Sequence, residues 1–245
     1  MQNKILIFTA TYNEAENIAD FLHCIEELNI NLDILIVDDN SPDKTWKIVQ
    51  DYSNTKENIK LIIRDKKEGL DTAHKVAYEY ASKNNYQYLI TLDADLSHDP
   101  KMIPQFINEL KTNSFVIGSR YMPGGECGMT GWRFFLSYFG NKFIKLSFKI
   151  DCDEFTTFYR GFNLTKLKDF HLKNISSKGY SFAMETVYQI HKRGIYIKQI
   201  PISFKGRLKG YSKIPKIELF RTLINVLINP QNIYFPLLMY IYHYF

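Results

Sequence analysis

Asp93-Ala94-Asp95 places two carboxylates one residue apart at the end of the apolar run Tyr88–Leu92. Like charges so close repel unless a cation neutralises them, and hard divalent ions such as Mg2+ take carboxylate and phosphate oxygens. The pair suggests a metal–diphosphate site. A lone tripeptide of this kind is more often a solvated turn that caps the next helix, but its place after a buried strand favours the metal. A second acidic pair, Asp38-Asp39, closes the run Leu32–Val37 and leads into the turn-forming Asn40-Ser41-Pro42-Asp43. Ser41 or Asp43 can cap the following helix, while an acid at this edge can accept hydrogen bonds from a ribose hydroxyl or a base. Tyr12-Asn13-Glu14 offers an aromatic face and one more acceptor, or simply an acid at a helix N-terminus.

The elements that must position these groups follow from the apolar pattern. Ile5–Thr9, Leu32–Val37, Ile59–Arg64, Tyr88–Leu92 and Phe115–Gly118 read as strands. Ala15–Leu28, Thr45–Tyr52, Thr72–Ser82 and Met102–Leu110 carry apolar residues at helical spacing between them. Such alternation predicts an α/β domain, Rossmann-like, with a mostly parallel central sheet and helices on both faces. In open sheets of this kind ligands sit beyond the carboxyl ends of the strands. The segments Thr11–Glu14, Asp38–Asp43, Asp65–Asp71, Asp93–Asp95 and Arg120–Gly125 should therefore share one edge.

The second half changes character. A Gly-rich loop, Met122–Gly131, precedes a helix expected over Trp132–Phe148, then an amphipathic helix over Phe182–Arg193 and a strand-like Ile195–Phe204. Further on, Ile217–Ile228 and Tyr234–Phe245 are apolar and aromatic but interrupted by Arg221, Asn225 and the stretch Asn229–Asn232. A spanning helix needs roughly 20 mostly apolar residues. This tail reads as an interfacial segment with aromatics at headgroup depth, or as a helix capping the core.

Length and composition set the outer bounds. The chain has 245 residues, 45% apolar and 23% charged, which fits one packed domain of residues 1–213 with a short appendage, 214–245. Cys24, Cys127 and Cys152 lack the spacing of a zinc or redox motif, so a reducing compartment is expected. Met1 to Lys4 run straight into the strand-like Ile5–Phe8 without a leader pattern, so a cytoplasmic location is expected. The net charge of +5 is concentrated late, at Lys198, Lys205, Arg207, Lys209, Lys213 and Lys216. Such a patch serves phosphates, anionic lipid or nucleic acid, and charge does not choose among them.

Taken together, the motifs resemble family 2 glycosyltransferases of GT-A fold, most closely the dolichol-phosphate mannosyltransferase group. The similarity rests on Thr11-Tyr12-Asn13-Glu14, Val37 through Asp43, Asp93 through His98, Ser119-Arg120-Tyr121, Gly131-Trp132, Ser177 through Tyr180, Pro201 through Phe204, and Arg207 with Ser212-Lys213. The resemblance implies that Tyr12, Glu14, Val37 and Asp39 hold the nucleoside. It implies that Asp93 and Asp95, with Ala94 between them and Ser97 nearby, bind Mg2+ or Mn2+ bridging the diphosphate. Arg120 and Arg133 match arginines near donor or acceptor phosphate, and Arg207 and Lys213 match a late basic pair that closes over the diphosphate. Guanidinium forks and ammonium groups suit phosphate oxygens.

The same resemblance implies a nucleotide-sugar donor, GDP-mannose or UDP-glucose, and a polyprenyl phosphate acceptor at a membrane surface, with no nucleic acid partner. Asp95, Arg207 and Lys213 would be the catalytic residues of an inverting hexosyl transfer. A phosphate acceptor is largely ionised at neutral pH, its second pKa being about 6, and needs no general base. The alternative is transfer to a sugar hydroxyl in polysaccharide or glycolipid synthesis, which requires one, with Glu154 or Glu185 as candidates. Four departures from the family pattern stand out: Ala10 for a proline, Asp71 within a Gly-Leu-Gly, Glu154 opening a segment that usually begins with aspartate, and a shortened spacing at Trp132-Arg133.

Overall fold

The computed structural model describes residues 4–206. Its first five strands are β1 (Ile5–Thr11), β2 (Asp33–Asp38), β3 (Ile59–Ile63), β4 (Tyr88–Thr91) and β5 (Phe115–Ser119). The intervening helices are α1 (Ile18–Glu26), α2 (Thr45–Thr55), α3 (Leu70–Lys83) and α4 (Ile103–Thr112). After them come β6 (Glu126–Cys127), α5 (Gly131–Phe148), β7 (Arg160–Asn163), α6 (Gly179–Lys192), β8 (Ile197–Pro201) and β9 (Ser203–Phe204). The main sheet runs β3-β2-β1-β4-β7-β5-β8, parallel except for β7, which is antiparallel to both β4 and β5. A small second sheet pairs β6 with β9.

Both faces of the main sheet are buried, which is why its strands read as continuous apolar runs rather than alternating ones. Along β1, Leu6 and Phe8 face one core with Ala73, Ala77 and Tyr78 of α3 and Phe182, Val187 and Ile190 of α6. Ile5 and Ile7 face the other, with Phe21 and Leu22 of α1 and Phe106 and Leu110 of α4. The period-2 geometry of the strand separates the two sets. Parallel register aligns the carboxyl ends: Thr11 lies beside Asp38, and Phe8 beside Thr91.

Three local readings change. Helix α1 starts at Ile18 rather than Ala15, because residues 15–17 form turns against the acids beyond β1. The single strand expected over Ile195–Phe204 is two, β8 leaving the main sheet at Pro201 and β9 joining β6. Strand β7 was not anticipated. Its four residues carry no periodic signal, and only pairing with β4 and β5 makes them a strand.

The Gly-rich loop is tied down by close backbone approach. A Cβ on Gly125 would lie 2.5 Å from the Ser119 carbonyl oxygen, and one on Gly128 would lie 2.8 Å from that of Phe204. Only glycine fits at either point. The loop therefore folds across the end of β5 and delivers α5 to the same rim of the sheet.

Candidate active site

Beyond β1 and β2 the polar residues bind one another. The Asp38 carboxylate is buried and accepts from the Thr11 hydroxyl at 2.6 Å, the Ser41 hydroxyl at 2.7 Å and the Ser41 amide at 2.8 Å. It is a strand-end brace. Asp43 accepts from the Thr45 amide and hydroxyl at 3.0 and 2.6 Å and from the Ala15 amide at 3.0 Å, so it ties the start of α2 to the loop after β1. Asn13 and Asn40 take left-handed backbone, with φ of 59° and 51°, a conformation asparagine tolerates better than most residues.

Glu14 is buried and accepts from Asn17 Nδ2 at 2.8 Å. Tyr12 is half-buried, with the Lys67 ammonium 4.3 Å from its ring centre. Val37 is a fully buried ladder residue between Ala10 and Ile62. Asp39 forms a buried ion pair with Arg64 and also accepts from the Glu68 amide at 3.3 Å. Burial pushes its carboxyl up and the guanidinium opposes that. Arg64 donates in addition to Thr72 and to the Gly69 carbonyl, linking β3 to the start of α3. Sequence reasoning gave Arg64 no part. Asp71, the residue interrupting the family's glycines, is buried at the start of α3 and accepts from the Gly179 amide, which opens α6, at 3.4 Å.

The Asp93–His98 loop stands at the end of β4, two strands from Asp38. Asp95 is buried and accepts from the Ser97 amide at 3.0 Å and the Ser97 hydroxyl at 2.5 Å. Ser97 thus orients Asp95 with its own hydroxyl proton. Ala94 is buried beneath the loop, and Leu96 turns it with a φ of 60°, a conformation costing roughly 1–2 kcal/mol for a non-glycine residue. Asp93 is about one-third exposed. His98, almost fully buried, accepts the Asp93 amide proton at Nδ1 (3.3 Å) and faces the Thr157 hydroxyl with Nε2 at 3.2 Å. Burial lowers its pKa to about 4, helped by Arg120 and opposed by Asp95 and Glu154.

Arg120 leaves β5 toward the same loop and forms a bidentate pair with Glu154, Nε to Oε2 at 2.7 Å and Nη2 to Oε1 at 2.8 Å. Nη2 also donates to Thr156 at 2.8 Å, and the guanidinium lies over the Tyr121 and Phe204 rings. Burial works against the charge on Arg120, yet Glu154 outweighs it and holds the guanidinium above its ordinary value. Burial likewise raises Glu154, and Arg120 with Thr156 outweighs that, holding the carboxyl below the usual range. The Thr156 and Thr157 amides donate to Glu154 as well. Arg160 braces the segment from beneath, donating to the carbonyls of Thr157 and Phe155 at 2.8 and 3.0 Å.

The structure thus gathers Tyr12, Glu14, Asp39, Asp93, Asp95, Ser97 and Arg120 along one rim. Arg133 stands apart on the exposed side of α5, its guanidinium 5.9 Å from the Trp132 ring centre. Arg207 and Lys213, and the segment 214–245, lie outside the described residues. Glu185 is buried and accepts from the Ser177 amide at 3.1 Å.

Among the described residues no group of three or more His, Cys, Asp or Glu side chains is placed to hold a metal ion unaided. A pair of carboxylates is nevertheless a donor set that Mg2+ and similar ions use when substrate phosphates complete the shell. Asp93 and the oriented Asp95 fit that chemistry.

This arrangement, a mostly parallel sheet with acids lining its carboxyl rim, is the GT-A architecture. The chain matches the mannosyltransferase of Pyrobaculum calidifontis in complex with GDP-Man and Mn2+ at TM-score 0.54, over 95% of this chain and 72% of that one, at 16% identity. It matches S. aureus TarS in complex with UDP-GlcNAc at TM-score 0.58, over 95% and 68% of the respective chains, also at 16% identity. In sequence, the family model for glycosyl transferase family 2 matches residues 6–170. The chain belongs to glycosyl transferase family 2, and it is a glycosyltransferase. It is 29% identical over 226 residues to an undecaprenyl-phosphate mannosyltransferase of Micrococcus luteus, covering 91% of this chain and 92% of that protein. It is 28% identical over 214 residues to a polyprenol monophosphomannose synthase of Mycolicibacterium smegmatis, covering 86% and 81%.

Proposed function

We propose that the chain moves mannose from GDP-mannose to a polyprenyl phosphate, using Mg2+ or Mn2+ held by Asp93 and Asp95. The observation that carries this reading is Asp95, buried and fixed by Ser97 beside the more open Asp93 at the end of β4. The likeness to an undecaprenyl-phosphate mannosyltransferase and a polyprenol monophosphomannose synthase supports the choice of sugar and acceptor class. Bound there, the cation would supply positive charge for the departing diphosphate.

The chain's own residues divide the remaining work. Tyr12 offers its ring to the base, Glu14 and Asp39 accept from the nucleoside, and Val37 and Ala94 form the apolar floor. Arg120 gives its fork to Glu154, and its Nη1, which makes no hydrogen bond among the described residues, is the nitrogen directed to phosphate. On the family resemblance Arg207 and Lys213, outside the described residues, would serve the diphosphate, whereas Arg133 stands apart on α5.

The state of the two candidate bases supports a phosphate acceptor over a sugar hydroxyl. Glu154 is buried in its pair with Arg120 and held below the usual carboxylate range, and Glu185 is buried against the Ser177 amide. Neither is disposed to take a proton from an incoming hydroxyl.

Association with a membrane surface is supported by α5. Only Asn141 and Ile144 of its eighteen residues are buried, while Trp132, Phe135, Phe139, Phe143 and Leu146 are exposed. At 100° per residue these five fall within about 80° of arc, one narrow apolar stripe. The helix carries Arg133, Lys142 and Lys145 and no acid, a composition suited to an anionic headgroup layer. No helix among the described residues is long and apolar enough to cross a membrane.

The test is a transfer assay with GDP-mannose and UDP-glucose, each offered polyprenyl phosphate or an oligosaccharide, with and without Mn2+. Metal-dependent mannosyl-phosphoprenol formation supports the reading. Transfer to the oligosaccharide with none to the lipid phosphate would refute it.

A further inference from the structure

Helix α5 does different work on its two sides. Its exposed apolar stripe, Trp132 through Leu146, lies about half a turn from Ser137, Asn141, Ile144 and Lys145. Several polar bonds fasten this inner side to the body. Asn141, 2% exposed, accepts from the Phe155 amide at Oδ1 and donates from Nδ2 to the Ser137 carbonyl of its own helix, both at 2.7 Å. The Tyr121 hydroxyl donates to Ser137 Oγ at 2.7 Å, and Lys145 pairs with Asp153 at 2.8 Å. Tyr121 follows Arg120 in the chain, and Phe155 follows Glu154. The helix thus grips the neighbour of each member of the buried ion pair.

An apolar side chain at position 141 would suffice if α5 needed only to be packed down. A buried asparagine bonded at both ends instead fixes one register, as single buried asparagines do between paired helices.

We propose that Asn141 is a positioning residue: with the Tyr121–Ser137 contact it sets the offset between the lipid-facing stripe of α5 and the Arg120–Glu154 pair, so that Arg120 meets the phosphate of an acceptor whose tail stays in the membrane. A polyprenyl tail fixes the depth of its phosphate, whereas a short water-soluble acceptor can move to meet a displaced guanidinium. The inference rests on the proposed lipid-phosphate acceptor, on Arg120 as a phosphate ligand and on α5 as the membrane-facing helix.

The test measures mannose transfer from GDP-mannose with Mn2+ to two acceptors, a long-chain polyprenyl phosphate in phosphatidylglycerol vesicles and a short water-soluble prenyl phosphate. The ratio of the two kcat/KM values reads the offset. Asn141→Leu keeps the size of the side chain and removes both bonds. It should bind the vesicles as the parent does, and the ratio of embedded to soluble acceptor should fall about tenfold or more, since a misplacement of about 1 Å can cost about a hundredfold. A residue that merely supports the fold would lower both values together, and an unchanged ratio in a folded Asn141→Leu overturns the proposal. Tyr121→Phe strips one hydroxyl from the second contact and should lower the ratio by less. If Asn141→Leu does not fold, a parent ratio in Tyr121→Phe overturns the proposal by itself.

Phe135→Gln combined with Phe139→Gln changes exposed residues of the stripe. This variant should lose vesicle binding and keep transfer to the soluble acceptor. Parent-level vesicle binding there would show that α5 does not face the lipid, and the role given to Asn141 would fall. If the parent transfers mannose to neither acceptor, the proposed function itself fails, a result distinct from an unchanged ratio.

Discussion

The rim of the sheet carries two polar clusters built in opposite ways. Around Asp38 most bonds are turn bonds within Asp38–Thr45, and the rest come from Thr11 to Ala15 at the end of the adjacent parallel strand. Asp93 and Asp95 bond within their own loop, to His98 and Ser97, but His98 meets Thr157 from the segment opening at Glu154, and Glu154 in turn holds Arg120 from beyond β5. The first cluster is assembled by local turn chemistry on two adjacent parallel strands. The second also needs β7, which runs antiparallel between β4 and β5 and brings the residues before it to Arg120 and His98. A local cluster loses one bond at a time, whereas a cluster closed by a buried ion pair fails as a unit.

The sharpest way to break that contrast is Glu154→Ala, which leaves Arg120 buried without its counter-charge. Removing one member of a buried pair costs about 3–5 kcal/mol, and urea unfolding should show a loss of that size. Replacing both partners by apolar residues, Arg120→Met with Glu154→Leu, should cost less than the single change. If the single change is the milder of the two, the pair does not organise this side of the rim.

Next in size is Asp95→Ala. Losing a group that anchors charge stabilisation at the reacting centre costs about a hundred- to a thousandfold in turnover, and circular dichroism should show the fold retained. Parent-rate transfer in a folded Asp95→Ala would remove the acid from the site. On the local side, Asp38→Ala strands the Ser41 amide and two hydroxyls that can turn elsewhere, so about 1–3 kcal/mol of stability should be lost. A loss as large as that of Glu154→Ala would erase the distinction between the clusters.

A further test is one of pH. His98 is lowered to about 4 and His74, buried among Phe8, Phe158 and Phe182, to about 3, in both cases first by burial. Between those values and the ordinary 6.5, the unfolded chain binds protons that the folded chain does not. Stability should therefore be fully present above pH 6.5 and decline as pH falls toward 4. Glu154 adds an acid limb of the same direction: its depressed folded pKa gives stability that is complete above its ordinary 4.5 and lost as pH falls through the folded value. Urea midpoints that stay level from pH 7 to pH 5 would contradict the histidine part.

The contrast also explains what the sequence made legible. Strands β1 to β5 announce themselves as buried apolar runs, and the acids that follow them are found by asking what stands at each carboxyl end. The Asp38–Asp43 turn is visible for the same reason, since Asn, Ser, Pro and Asp act on neighbours a few residues away. The Arg120–Glu154 pair spans 34 residues and has no local signature. Glu154 looked like a possible base because its partner could not be seen. His98 sits inside a readable motif, yet its Nε2 meets the hydroxyl of Thr157, 59 residues later. Arg64 closed a strand and gave no hint that its guanidinium would reach Asp39 across the rim.

In the proposed reading, Asp93 and Asp95 bind a diphosphate through a shared divalent cation. Titration calorimetry of GDP into the parent protein, once with Mn2+ and once with EDTA, tests it most directly. GDP binding should be strong with Mn2+, weak with EDTA, and insensitive to Mn2+ in Asp95→Ala. Equal GDP affinity with and without the cation in the parent would contradict it.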